Sequence, residues 1–118
     1  MIPRGSYLTE YVEVPMPNGK SIRAYIFEGE YYYNIGDICK SIIRKRNLER
    51  VRLDDRVRFE LMRDTKKGRR ISWFTNKYGL FDIVFGIRGE GSFEIKKYFL
   101  DNIDIILRPN LLDKRDIT

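Results

Sequence analysis

Residues 21–43 read SIRAYIFEGEYYYNIGDICKSII, and this stretch decides the fold. Residues 21–28 alternate small aliphatic side chains with larger or charged ones, which is the two-residue period of a strand. Gly29 and the glutamate after it predict a tight reversal. Residues 31–33 are three tyrosines, which favour a second, short strand because aromatic side chains suit a pleated surface.

A helix is predicted directly after this hairpin. Asn34 is a good helix cap, and Asp37 follows three residues later, near the positive end of the helix. The apolar residues that recur at helical spacing are Ile35, Ile38, Cys39, Ile42 and Ile43. One face of the helix should therefore pack against the sheet.

The same order of elements recurs later in the chain. Residues 57–63 (VRFELMR) and 69–74 (RRISWF) alternate as strands, and residues 64–68 (DTKKG) predict the hairpin loop between them. Within this loop Gly68 should supply a positive φ. Thr75 or Asn76 is expected to cap a second helix that runs to about Ile87.

A third helix is predicted to open at Ser92, because Ile95, Phe99, Ile103 and Ile106 repeat about every four residues. Residues 7–14 alternate weakly and are expected to form an edge strand. The pattern predicts an α+β fold in which a small antiparallel sheet carries about three helices on one face.

The chain has 118 residues, which suits one domain. We assign residues 7–110 to it, residues 1–6 to a tag remnant or disordered start, and residues 111–118 to a flexible tail. No apolar run is long enough to span a membrane. The expected location is intracellular, in the host cytoplasm or nucleus for a viral protein and the cytoplasm for a phage or bacterial one.

Catalytic chemistry has few candidates in this composition. The chain has no histidine and one cysteine, which removes the commonest general base and most zinc sites. Cys39 is expected to be a small core residue. Asp101 and Asp104 are expected to form a solvated acidic face and not a metal site. We therefore predict a binding protein, with no enzymatic activity, metal or cofactor.

Positive charge is concentrated in one stretch. The net charge is +6, and residues 44–70 hold twelve basic and five acidic residues. Such a surplus favours a polyanionic partner. The predicted nucleic-acid-binding residues are Arg44, Lys45, Arg46, Arg50, Arg52, Arg58, Lys66, Lys67, Arg69 and Arg70. Their expected ligand is DNA, as a duplex bound with weak sequence preference.

Two other interpretations of these residues stay open. The cluster could be a solvated face in which Arg56, Arg58 and Arg63 pair with nearby acids, listed as Asp54, Asp55, Glu60 and Asp64. Residues 31–33 and Trp73 could stack on bases, but aromatic residues in strands are more often buried. Trp73 could instead form a cation–π contact with Arg70 or Lys77.

Three stretches carry a resemblance to a known family. They are residues 18–27 (NGKSIRAYIF), 32–42 (YYNIGDICKSI) and 76–81 (NKYGLF), with residues 93–109 continuing the likeness. Together they resemble the BRO-N domain, the amino-terminal domain of baculovirus repeated open reading frame proteins, which also occurs in phage antirepressors. The family's tryptophan of the last helix is Phe99 here, and the glutamate after its asparagine is Lys77.

The resemblance implies DNA binding in a viral or phage protein, with a role in the regulation of transcription or replication. The KilA-N class is a related alternative. A protein-interaction module, such as an antirepressor or a viral inhibitor of a host factor, is the second hypothesis. It would need exposed apolar residues, expected in residues 31–33 or 81–85. A homodimer through the last helix is the third.

Overall fold

A computed structural model describes residues 7–8, 10–43, 54, 56–89 and 91–109. In this part of the chain the strands are β1 (Tyr7–Leu8), β2 (Tyr11–Pro15), β3 (Ser21–Phe27), β4 (Glu30–Asn34), β5 (Arg58–Thr65) and β6 (Gly68–Thr75). The helices are α1 (Ile35–Ile38), α2 (Lys77–Gly86), α3 (Ser92–Asp101) and α4 (Ile103–Leu107). A π-helical turn, Cys39–Ile43, continues α1. The predicted α+β class is confirmed.

The described strands form one sheet in the order β1-β5-β6-β4-β3-β2. The short β1 pairs parallel to β5, and every other neighbouring pair is antiparallel. The prediction of a single edge strand over residues 7–14 is wrong. That stretch forms β1 and β2, which lie at opposite edges of the sheet because β1 pairs with β5 and β2 with β3.

The helices cover one side of β2, β3 and β4. Alternate residues of these strands face them, so that Val14, Ile22 and Ala24 are fully buried in the same cluster as helical residues. The helical members of the cluster are Ile38, Leu80, Ile83, Val84, Phe99 and Ile106. No residue of β5 or β6 belongs to this cluster. Helices α1 and α2 come close to β6, where Thr75 is fully buried, but Ile71 and Trp73 further along the same side of the hairpin stay exposed.

A second cluster lies on the other side of the sheet. Its buried members come from strands alone and are Leu8, Tyr25, Tyr32, Leu61 and Phe74. The Tyr25 and Phe74 rings meet edge to face at 5.3 Å. Cα atoms of β1 also approach β3 to within 8 Å, whereas four strand spacings in a flat sheet would separate them by roughly 19 Å. The sheet therefore curls around this cluster.

The junction between β4 and α1 is held by a carboxylate. As predicted, Asn34 caps α1, and its side-chain oxygen accepts from the backbone N–H of Asp37 at 3.0 Å. The Asp37 carboxylate in turn accepts from the backbone N–H of Arg23 at 2.9 Å and from its Nε and Nη2 at 2.7 and 2.8 Å. These hydrogen bonds raise the pKa of Arg23 above its ordinary value, although partial burial opposes the shift.

The start of α2 also agrees with the prediction. The side chain of Asn76 accepts from the backbone N–H groups of Tyr78 and Gly79, both at 3.1 Å. Gly79 is needed because a Cβ there would collide with the Thr75 hydroxyl, which donates to the Val57 carbonyl at 2.6 Å. The glycine therefore allows α2 to approach the end of β6.

The predicted third helix is broken. α3 ends at Asp101 and α4 begins at Ile103, because Asn102 leaves the helical conformation and its Nδ2 donates to the Tyr98 carbonyl at 2.9 Å. Two tyrosines then attach these helices to the sheet. Tyr33 donates to the Ile106 carbonyl at 2.7 Å, and Tyr98 donates to the Pro15 carbonyl at 2.6 Å. Within the described residues, no helix has both the length and the apolar character needed to cross a membrane.

Replacing Asp37 with alanine should destabilise the fold by about 3 kcal/mol, because it leaves a half-buried guanidinium and a strand N–H without their acceptor. Urea unfolding measures this. The control is Asp101→Ala, which removes the exposed pair between Lys97 and Asp101 and should cost at most about 0.5 kcal/mol. Equal costs for the two variants would contradict a special role of Asp37.

Candidate nucleic-acid interface

The β5–β6 hairpin carries most of the described cationic candidates. Its loop is shorter than the predicted residues 64–68: Thr65 pairs with Gly68, so Lys66 and Lys67 alone form the turn. Gly68 has the expected positive φ, 106°. The Thr65 hydroxyl holds the turn, since it donates to the Gly68 carbonyl at 2.7 Å and accepts from the Lys67 N–H at 3.2 Å.

This register sets two arginines directly opposite each other. Arg63 of β5 pairs with Arg70 of β6 on the side of the sheet that carries the strand-only cluster. Cross-strand Cβ atoms lie about 4.5–5.5 Å apart, and like charges at such positions destabilise a sheet. The Arg63 Nε donates to the Ser72 hydroxyl at 2.8 Å, which orients its guanidinium while Arg70 is exposed. Arg63 and Arg70 are called the arginine face here, and Lys66 and Lys67 the tip.

The other side of the hairpin combines charge with apolar surface. Alternation places Arg58, Arg69, Ile71 and Trp73 together on this side, where Glu60 stands opposite Trp73 and Asp64 opposite Arg69. The Arg58 guanidinium carbon lies 4.7 Å from the centroid of the Trp73 ring. Trp73 remains 39% exposed and Ile71 61% exposed, and no helix of the described residues buries them. Arg58, Arg69, Ile71 and Trp73 are called the tryptophan face here.

The predicted binding residues thus divide between two sides of one hairpin. Arg70 lies on the arginine face, Arg58 and Arg69 lie on the tryptophan face, and Lys66 and Lys67 form the tip between them. All five side chains are exposed. The other predicted residues, Arg44, Lys45, Arg46, Arg50 and Arg52, lie outside the described residues.

Sequence reasoning left Arg63 out of the binding set, and the structure shows why it belongs with Arg70. A two-residue turn at Lys66 and Lys67 makes residues 63 and 70 partners, whereas the five-residue loop that was predicted leaves the register open. The signal that could have found this pair is Gly68, which marks the end of the turn.

The alternative interpretation, ion pairing, is seen for Arg56. Arg56 contacts Asp54 at 2.8 Å on the surface, and hydrogen bonds from Arg56 lower the pKa of Asp54 to about 2. Arg63 bonds Ser72, and Arg58 contacts Trp73 in place of the expected Arg70 or Lys77. Among the described residues, no ion pair involves Lys66, Lys67 or Arg70.

The tyrosines of β4 are poor candidates for base stacking. Tyr32 and Tyr33 are buried, one on each side of the sheet, and burial raises the pKa of both hydroxyls. Tyr31 is half-buried and lines a cleft of about 250 Å³ beside the start of α2, together with Lys77 and Tyr78. The Lys77 Nζ already lies 5.3 Å from the Tyr78 ring there.

Other sites for chemistry are sparse in the part of the chain that is described. Cys39 is buried, as predicted, and burial raises the pKa of its thiol. No group of three potential metal ligands occurs among these residues. Asp101 pairs with Lys97, and Asp104 lies beyond the break in the last helix. Comparisons with protein-family models, with curated proteins and with solved structures found no match.

The arginine pair leads to a stability test. Arg70→Gln should raise the free energy of unfolding by about 0.5 kcal/mol in low salt, because it removes a like-charge contact. The gain should vanish when salt screens the pair. Arg69→Gln is the matched control, since an acidic residue, Asp64, stands opposite Arg69 and no gain is expected. Stability is measured by thermal unfolding at low and high salt. If Arg70→Gln were no more stable than the native protein at low salt, the two arginines would not repel each other measurably.

Proposed function

We propose that this protein is a DNA-binding domain that contacts mainly the phosphate backbone, and that it acts by binding and not as an enzyme. The observation that carries the proposal is the arginine pair: Arg63 and Arg70 face each other beside an exposed Lys66–Lys67 tip, and no ion pair among the described residues involves them. A phosphate between two such guanidinium groups relieves their repulsion and accepts hydrogen bonds from both.

The ligand class follows from the density of charge. A single anion would satisfy one arginine pair, but the tip continues with two lysines, and the other side of the hairpin carries Arg58 and Arg69 together with Glu60 and Asp64. A polymer with regularly spaced phosphates can contact these groups in succession. Backbone contacts carry no sequence information directly, so the proposed sequence preference is weak. DNA as ligand implies action inside a cell.

The resemblance to the BRO-N domain supports the same ligand, and we propose membership of that family or of the related KilA-N class. The residues that carry the resemblance have structural roles in this chain. Asp37 binds Arg23, Asn76 caps α2, and Phe99 is fully buried. The resemblance therefore bears on the scaffold, while the proposed contacts rest on the hairpin.

The test is the dependence of affinity on salt for a labelled 24-base-pair duplex and for one of its strands. Replacing both Lys67 and Arg70 with glutamate should weaken binding to all sequences alike. It should also reduce the slope of log affinity against log salt by roughly two, because about 0.9 of slope is lost per duplex phosphate contact.

The matched control replaces Arg88 and Lys97 with glutamate. Both side chains are exposed, away from the hairpin, and the change in net charge is the same. If this control reduced the slope as much as the hairpin variant does, binding would reflect net charge and not the hairpin. Undetectable affinity of the native protein at low salt would disprove the proposal.

A protein-binding module is a second candidate because one helical surface exposes large apolar residues. Phe93 and Leu100 are seven residues apart on α3 and are 70% and 54% exposed, and Phe85 of α2 is 40% exposed. Surface of this kind is typical of protein contacts. It lies on the helices, while the hairpin carries the proposed DNA contacts.

Replacing Phe93 and Leu100 with aspartate tests this candidate. The double variant should lose any stoichiometric protein partner and keep the native affinity for DNA, because the substituted residues lie outside the hairpin. Pull-down and DNA titration are measured on the same preparation. If the variant kept the partner, this helical surface would not be the binding site for that partner.

A further inference from the structure

The tryptophan face of the hairpin has an aromatic and apolar character that phosphate binding does not explain. Trp73 is 39% exposed and Ile71 61% exposed, on a strand whose opposite side is fully buried at Phe74. A side chain of this size normally joins a core. Here the helices pack on β2, β3 and β4 and leave this part of the sheet open.

The contact between Arg58 and Trp73 places a guanidinium plane beside an indole ring. The guanidinium carbon lies 4.7 Å from the ring centroid, which is within the range of a cation–π interaction. This contact restricts the rotamers of both side chains before any ligand arrives. Nucleobases stack on aromatic rings and on arginine planes alike, so an exposed guanidinium beside an exposed indole extends one stacking surface.

We infer that the tryptophan face stacks unpaired bases, so that this protein binds a single-stranded nucleic acid in preference to a duplex. The inference rests on the proposed function and names its substrate class. In a duplex the bases are stacked on each other and offer their edges in the grooves. A flat indole has nothing to stack on there, whereas every unpaired base exposes a ring face.

The position of the surface fits a nucleic-acid strand better than a protein. Arg69 and Trp73 are four residues apart on β6, which is roughly 14 Å, and the cationic tip lies just beyond Arg69 at the end of the hairpin. A flexible strand with its bases on Trp73 can therefore reach the lysines of the tip with its phosphates. The phosphates would contact the lysines of the tip, because Glu60 and Asp64 stand opposite Trp73 and Arg69 on this side of the hairpin.

The chain supplies its own probe, because Trp73 is its single tryptophan. A twelve-residue oligothymidylate should quench the fluorescence of Trp73 and bind about tenfold tighter at low salt than a twelve-base-pair duplex does. Trp73→Ala should weaken binding of the oligothymidylate about tenfold or more and leave the duplex affinity unchanged. Trp73→Phe, which keeps a ring, should recover most of the loss.

Two controls keep the test selective. Phe93→Ala removes a ring from α3 that is more exposed than Trp73, and it should change neither affinity. An oligouridylate of the same length distinguishes DNA from RNA as the source of the unpaired bases. Thermal unfolding of each variant shows that an altered affinity does not come from a lost fold.

The outcomes separate this inference from the proposed function. Equal or tighter binding of the duplex without quenching, or an equal effect of Trp73→Ala on both ligands, overturns the preference for single strands and leaves DNA binding intact. Binding of neither nucleic acid overturns both. A protein partner that Trp73→Ala abolishes, with no nucleic acid bound, would assign the tryptophan face to protein recognition.

Discussion

The carboxylate of Asp37 holds the point at which the chain leaves the sheet. β4 stops pairing with β3 after Tyr33, and the backbone N–H of Arg23 on β3 would otherwise have no partner at that position. Asp37 accepts from that N–H and from the Arg23 guanidinium, so one side chain ends the strand and positions the helix. Since β4 pairs with β6 through Tyr33 and Asn34 alone, the placement of the β5–β6 hairpin depends on the same junction.

The two sides of the sheet have different consequences for function. Helices cover the first cluster, and the curled strands enclose the second around Tyr25 and Phe74. The hairpin extends beyond both clusters, so its outer residues keep their exposure. Among the described residues, the exposed surface of the hairpin thus lies beyond the part of the sheet that the helices bury.

Alternation along the hairpin places its cations on two different sides of the sheet. Neighbouring residues of a strand point to opposite sides, so Arg69 and Arg70 belong to different surfaces although they are adjacent in sequence. As a result, Arg63 and Arg70 face each other on one side of the hairpin, and Arg58 contacts Trp73 on the other. Both are features of register, and a shift of one residue would exchange them.

The local sequence was sufficient to predict the caps at Asn34 and Asn76, the buried Cys39, the positive φ of Gly68 and the α+β class, because capping and periodicity act within a few residues. It was insufficient for the separation of β1 from β2, since strand partners distant in sequence decide it. The break at Asn102 was also missed, although the contact of its side chain with the Tyr98 carbonyl is local. The concentration of charge between residues 44 and 70 is likewise a property of the sequence. Which cations share a surface was decided by the two-residue turn and the pairing of β5 with β6, because only strand pairing determines which side chains lie opposite each other.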